Sequence, residues 1–339
     1  MDLSMDLTMD LTINNEIVSK LLSSSSDHKI GQYTFKYIGK GSEGVVYSCN
    51  DRIVKIYTRF TLDSIIKEFY VVGMLQELDG INNNVVHIDN YYLSLSNPVM
   101  IMEPMKGDLL EWCQGIVNNK SMTNQSELDN AWISMIFQVT YGFMFLNNLG
   151  IVHFDTKPRN IMYMDGNDID KEYHVKNITY KVPQQSIFKI IDFGSVQILG
   201  STLNTMGDDE IKERLNTRSD LYDLSRITYT ILLGYVKNDY GWKEIEELLK
   251  TNEKYRQYKQ DHKLKLEKEI GHIPQKVRDN MLLKALIYYG IENDIIDKEE
   301  VIRKHGLVWP SIKVTSILDQ LTDLSIKNVF ELFDEFIIN

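Results

Sequence analysis

Two short stretches hold four residues whose types and order suit phosphoryl transfer. In Ile151–Met162, reading IVHFDTKPRNIM, Asp155 is followed two positions later by Lys157 and five positions later by Asn160. In Phe188–Gly194, reading FKIIDFG, an apolar run ends in Asp192-Phe193-Gly194. Such a reaction needs a carboxylate to accept a hydroxyl proton, a cation to steady the moving phosphate, and two oxygen ligands for magnesium. Asp155, Lys157, Asn160 and Asp192 can supply them. Taken singly, each has a plainer reading, with His153 and Asp155 capping a strand and Asp192-Phe193-Gly194 an ordinary turn. Their joint order carries the signal.

A phosphoryl donor also needs a seat, and the upstream sequence offers one. Tyr33–Ile38 alternates as a strand does, and Gly39-Lys40-Gly41-Ser42-Glu43-Gly44 follows it. Three glycines let backbone amides fold closely over phosphate oxygens. A dinucleotide-binding fold would need those glycines to open a helix, whereas Val45-Val46-Tyr47 continues as a strand, so that reading fails. Lys55 lies in the next apolar strand, Arg52–Tyr57, 11 residues after Gly44. Leu62–Leu75 reads as a helix carrying Glu68, 13 residues after Lys55, with Glu77 a poorer partner near its end.

In this order the motifs resemble those of a eukaryotic-type Ser/Thr protein kinase. Gly39, Gly41, Gly44 and Val46 resemble the glycine-rich hairpin over the nucleotide, and Lys55 with Glu68 the phosphate-gripping pair. Asp155 and Lys157 resemble the base and cation of the catalytic loop, while Asn160 and Asp192 resemble the metal ligands. The resemblance implies an α+β, two-lobed fold: a small five-stranded N-lobe with one main helix, and a larger, mostly helical C-lobe. It further implies ATP and Mg2+ as cofactors and a protein substrate with a Ser or Thr acceptor. Met102-Glu103-Pro104-Met105 resembles the hinge, which assigns Glu103 and Met105 to the nucleotide. Pro104 lacks an N–H, so the Met105 amide is the expected donor to adenine. Asp108 is assigned to the ribose, although capping the helix at Leu109 is an equal use of it.

The chain also departs from that family. Phe154 replaces the Arg that commonly precedes the base and pairs with a phosphate on the activation segment. Activity independent of phosphorylation at Ser195, Ser201, Thr202 or Thr205 is therefore expected. No Ala-Pro-Glu closes the segment Ser195–Arg218, and Glu210 and Glu213 are both candidates for its Glu. Asp220 is expected to brace the catalytic loop through backbone N–H groups, and Ser225 stands where the family usually has Gly. The 31 residues between Asn160 and Asp192 point to an insertion near 165–186, either in contact with a partner or an inert surface excursion. Beyond Leu233 the resemblance thins to a helix-rich outline, which suits an outlying or viral member of the family.

Two other functions fit part of the pattern. A small-molecule kinase resembling the aminoglycoside and choline kinases shares His-x-Asp, a downstream Asn and a metal-binding Asp, but Lys157 is the mark of Ser/Thr protein kinases. A nucleotide-binding pseudokinase would have lost one of Lys55, Glu68, Asp155, Asn160 or Asp192, and all stand.

Composition sets the outer bounds. The 339 residues suffice for one large core, and the net charge of -11 argues against a general nucleic-acid binder. Two cysteines offer no disulfide framework. No apolar run nears the ~18 residues of a membrane span, and no signal peptide is evident. The expected location is the cytoplasm, or the host cytoplasm or virion for a viral chain. Residues 1–30, opening with three MDL[ST] repeats, read as a disordered tail. Residues 31–105 read as the N-lobe and hinge, and 106–339 as the C-lobe.

Overall fold

The computed structural model describes residues 13–41, 43–78, 84–93, 96–118, 125–166, 170–236, 242–270, 311–321 and 328–338, with scattered positions from 279 to 297. Alternating apolar residues build a six-stranded antiparallel sheet. Its members are β1 (His28–Ile30), β2 (Tyr33–Lys40), β3 (Gly44–Cys49), β4 (Arg52–Tyr57), β5 (Ile88–Tyr92) and β6 (Val99–Met102), in the order β1-β2-β3-β4-β6-β5. The five expected strands are there, and β1 extends the sheet at the β2 edge.

The tail expected to be disordered through residue 30 is ordered from Ile13 onward. Helix α1 (Asn15–Ser23) starts at Asn14, whose carboxamide accepts the Ile17 N–H at 2.9 Å. Ile13, Ile17, Val18 and Leu21 form an apolar stripe at helical spacing and bury against Phe35, Tyr47 and Ile101 on one face of the sheet. Tyr47 donates to the Leu21 carbonyl at 2.6 Å and holds the helix end. The MDL[ST] repeats lie outside the described residues.

Helix α2 (Leu62–Glu77) covers the opposite face, capped by Thr61 on the Ser64 N–H at 3.1 Å. A two-residue strand, β7 (Gly107–Asp108), leads from the hinge into α3 (Leu109–Asn118). Helix α4 (Gln125–Asn148) is apolar on most of its circumference and buried, as a central helix must be. Gly150, at φ 74°, ends it in the left-handed conformation that favours glycine. The chain then enters β8 (Ile151–Val152) and the catalytic-loop stretch.

Strands β9 (Ile161–Asp165) and β12 (Ser186–Ile190) pair antiparallel with Ile161 opposite Ile190. That register brings the two phosphoryl-transfer stretches side by side. Between them, β10 (Lys171–Val175) and β11 (Ile178–Val182) form the insertion, with residues 167–169 outside the described set. The hairpin is not a bare excursion. Tyr173, Tyr180 and Val182 are buried, and β11 pairs with β14 (Ile337–Ile338) near the chain end. The rings of Phe330, Phe333 and Phe336 close around Phe137 of α4, with centroids 5.1–5.9 Å away. Insertion and C-terminal stretch thus share one aromatic core.

Strand β13 (Gln197–Ile198) pairs with β8, followed by α5 (Asp208–Asn216), α6 (Ser219–Val236), α7 (Trp242–Thr251), α8 (Glu253–Ile270) and α9 (Ile312–Gln320). Most of the helix-rich outline between residues 271 and 310 falls outside the described residues. Among the described residues, no helix is long and apolar enough to cross a membrane.

Candidate active site

The antiparallel register of β3 on β4 places Val46 opposite Lys55, so the glycine hairpin lies over the lysine. At Gly44 a side chain would force the backbone to shift, because an added Cβ would stand 2.1 Å from the Ile56 carbonyl oxygen. Below this roof is a cleft of about 610 Å³, within the range of small-molecule sites. Ile38, Val46, Met102 and Met105 line its apolar part, while Lys55, Asn160 and Asp192 line its charged part.

Lys55 Nζ lies 3.1 Å from Glu43 Oε2 and 3.6 Å from Glu68 Oε1, and 4.3 Å from the centre of the Tyr57 ring. Burial works against its charge, but Glu68, Asp192 and Glu43 outweigh that and hold it above the usual lysine range. Carboxylate oxygens of Glu43, Glu68 and Asp192 lie within 4.8 Å of one another. Gly194 sits against all three, since a Cβ there would be 3.6–3.9 Å from their oxygens. Three carboxylates facing one ammonium leave an excess of negative charge, a set able to receive a cation.

On the opposite wall, the catalytic loop is fixed from beneath. Buried Asp220 accepts the His153 N–H at 3.0 Å and the Phe154 N–H at 3.2 Å, with Thr156 Oγ1 and Asn147 Nδ2 each at 3.3 Å. His153 is buried between Phe143 and Phe193, and its Nε2 bonds the Ile191 carbonyl at 2.9 Å. That bond ties the catalytic loop to the stretch ending in Asp192. Phe154 and Asp192 both take positive φ, 65° and 69°, a strained conformation for side-chain-bearing residues that concentrates at working sites.

The Asp155 carboxylate receives the Lys157 ammonium in a close pair and Asn160 Nδ2 at 3.0 Å. Asn160 also donates to the Asp155 carbonyl at 3.0 Å, which leaves its Oδ1 as the oxygen available to a metal. The Ile191 N–H to Asn160 carbonyl bond, at 3.0 Å, sets Asn160 beside Asp192.

The structure therefore brings Lys55, Glu68, Asn160 and Asp192 together in one cleft with Gly39, Gly41, Gly44, Val46 and Met105, and places Asp155 and Lys157 against Asn160. The side chains of Glu103 and Asp108, two residues assigned to the nucleotide, are engaged within the protein. The Glu103 side chain turns to Lys189 Nζ at 2.7 Å and to the His87 N–H, away from the cleft lining. Asp108 spends its carboxylate on the Glu111 N–H at 2.9 Å, and Glu111 reaches back to the Asp108 N–H at 3.1 Å. This reciprocal cap starts α3, and Glu111 lines the cleft instead. Glu210 and Glu213 are exposed on α5, so neither is a buried replacement for the missing Ala-Pro-Glu carboxylate.

Sequence reasoning missed Glu43, Glu111 and Tyr57. Tyr57 carried a signal, because strand alternation puts it on the same face as Lys55, two residues away. The Glu43 pairing depends on how the hairpin folds over the next strand and had no local signature.

A family model described as "protein kinase domain" matches residues 33–282. The chain is similar to a probable serine/threonine-protein kinase, pXi, of Dictyostelium discoideum, 26% identical over 226 residues, covering 62% of this chain and 29% of that protein. It is also similar to Death-associated protein kinase 2 of Homo sapiens, 27% identical over 173 residues, covering 48% of this chain and 40% of the relative. The match thus spans less than half the length of these curated relatives. A crystal structure of a kinase domain aligns at a TM-score of 0.47 and 16% identity, covering 88% of this chain and 93% of that one.

Proposed function

The chain belongs to the protein kinase domain family, and from that premise we propose that it phosphorylates Ser and Thr hydroxyls of protein substrates, with ATP as donor and magnesium as the metal. The observation that carries this reading is Lys157 closed on Asp155, with Asn160 donating to the same carboxylate beside Asp192. The residues proposed as base and phosphate-steadying cation thereby meet Asn160, which lines the cleft together with Asp192.

The residues fit a nucleotide. An apolar slot between Val46 and Met162 suits a flat base, the Met105 backbone suits its polar edge, and Lys55 stands at the end where phosphates would lie. Asn160 Oδ1 and Asp192 are the ligands that would hold magnesium, and Gly39 and Gly41 line the roof. When bound, magnesium neutralises charge on the phosphate oxygens.

Asp155 orients the acceptor hydroxyl and takes its proton, and Lys157 then turns from Asp155 toward the transferred group. Lys55, anchored by buried Glu68, grips the donor phosphates. Asp220 keeps the loop backbone still while these side chains work. The apolar burial of both free cysteines, Cys49 and Cys113, suits a reducing compartment, and the cytoplasm is the proposed location.

Identification of the labelled amino acid after incubating the protein with labelled ATP, magnesium and a generic protein mixture tests the reading. Phosphoserine or phosphothreonine is expected. Phosphotyrosine alone, or label found only on small hydroxyl or amine acceptors, would overturn the substrate class.

A further inference from the structure

Helix α5 ends the activation segment, and its Arg214 points back to the catalytic loop. The guanidinium carbon stands 4.5 Å above the centre of the Phe154 ring. Phe154 is the residue found where the family's phosphate-reading Arg would be. Its N–H is pinned by buried Asp220 at 3.2 Å, its φ is 65°, and its ring is 41% exposed before the segment. Among the described residues Arg214 has one ion pair within 4 Å, to Glu210 at 3.8 Å on a half-exposed surface, and its charge also acts on the partly buried Asp223 carboxylate. Its Nε is buried with no hydrogen-bond partner among the described residues. Beside these acidic neighbours, the ring face beneath the guanidinium is a further partner for its permanent charge.

The rest of the segment is already clasped by its own side chains. Asn204 accepts the Ile198 N–H at 2.9 Å, Gln197 Oε1 accepts the Thr205 N–H at 3.1 Å, and Asp208 accepts the Gly200 N–H at 3.0 Å. β13 pairs with β8 at the start of the segment, and Ile211 buries α5 near its end. Of these ties, Arg214 on Phe154 joins the far end of the segment to the catalytic loop itself.

We propose that the Arg214–Phe154 stack is a phosphate-free latch, in which Arg and its partner have exchanged sides, holding the activation segment against the catalytic loop. Arg214 and Phe154 are positioning residues, since neither reaches the reacting atoms. The effect on catalysis rests on the kinase reading above, whereas the latch is a property of the folded chain and is tested separately.

The test combines limited thermolysin digestion, with cut sites mapped by mass spectrometry, and transfer kinetics. It uses full-length wild type, Arg214→Met, Phe154→Leu and the double variant. Both substitutions keep bulk, and Phe154→Trp retains a π face. We expect cleavage near Leu199 and Leu203 to rise about fivefold in each single variant, with the double variant no faster than either. Phe154→Trp should stay at the wild-type cleavage rate, and phosphatase treatment of wild type should change nothing. In kinetics, kcat/KM for a protein substrate should fall about fivefold with KM for ATP unchanged. Wild-type cleavage in both single variants, or multiplying effects in the double variant, would overturn the latch. If wild type transfers no phosphate, the kinase reading fails and digestion still decides the latch. If Arg214→Met unfolds by thermal denaturation, Arg214→Lys against Phe154→Leu decides it.

Discussion

The two walls of the cleft use their charged side chains differently. The floor, built from the catalytic loop, is locked through backbone: Asp220, 1% exposed, accepts two consecutive main-chain N–H groups, and His153 bonds the carbonyl before Asp192. The roof, beyond the backbone ladder of β3 on β4, carries side chains that share one cation. Lys55 is divided between Glu68, whose side chain is 4% exposed on the inner face of α2, and Glu43, 39% exposed on the hairpin. A backbone lock has no alternative partner, whereas a shared ammonium can pass from one oxygen to another with little change in its surroundings. On the proposed function, the floor stays still while Lys55 exchanges a protein carboxylate for a phosphate.

Removing the shared cation should have the largest effect. Lys55→Met is expected to lower kcat/KM for ATP by about 10²–10³ and to destabilise the fold, because buried Glu68 is left with Glu43 and Asp192 as uncompensated neighbours. Adding Glu68→Gln should restore the thermal midpoint but not the activity. Recovery of both would mean that Lys55 acts on stability alone.

Breaking the floor comes next. Asp220→Ala strands two buried N–H groups and should cost about 2–3 kcal/mol in denaturant unfolding, with kcat falling at least tenfold. A variant that lost stability but kept kcat would show that the loop needs no brace to work.

A pH effect should follow at Asp223, one turn along α6 from Asp220. Burial raises its carboxyl from 3.8 to about 6, with Arg226 and Arg214 opposing and Asp220 adding. The folded protein therefore favours the protonated form, so the chain loses stability as pH rises from about 4 to 6. Asp223→Asn should melt roughly 2–4 °C higher than wild type above pH 6, and the difference should close below pH 4. A pH-independent difference would contradict the assignment.

The smallest effect sharpens the contrast between the walls. Glu43→Gln removes the exposed competitor for Lys55, and KM for ATP should fall about two- to fivefold with kcat nearly unchanged. A rise in KM would make Glu43 a contributor to cation binding instead.

How much of this was legible depended on distance along the chain. Asp155, Lys157 and Asn160 lie within six residues, and the alternation of β2 to β4 sets Lys55 beneath the glycines, so local spacing carried both. Helix α1 was legible in principle, from Asn14 as a cap and the stripe Ile13, Ile17, Val18, Leu21, but the preceding repeats made it read as tail. The pairing of Thr179 and Tyr180 with Ile338 and Ile337 joins segments about 160 residues apart and leaves no periodicity to find. The Arg214–Phe154 stack was half visible. Phe154 announced a missing phosphate reader, and only the turn of α5 showed what replaced it.

The most direct test of the account is labelled-phosphate transfer from magnesium ATP to a Ser/Thr protein by wild type and Asp155→Asn, with ATP affinity measured on both. The account predicts transfer by wild type, a loss of about 10²–10⁴ in the variant, and equal ATP affinity. Equal transfer by the two proteins, or no transfer by wild type despite bound ATP, would contradict it.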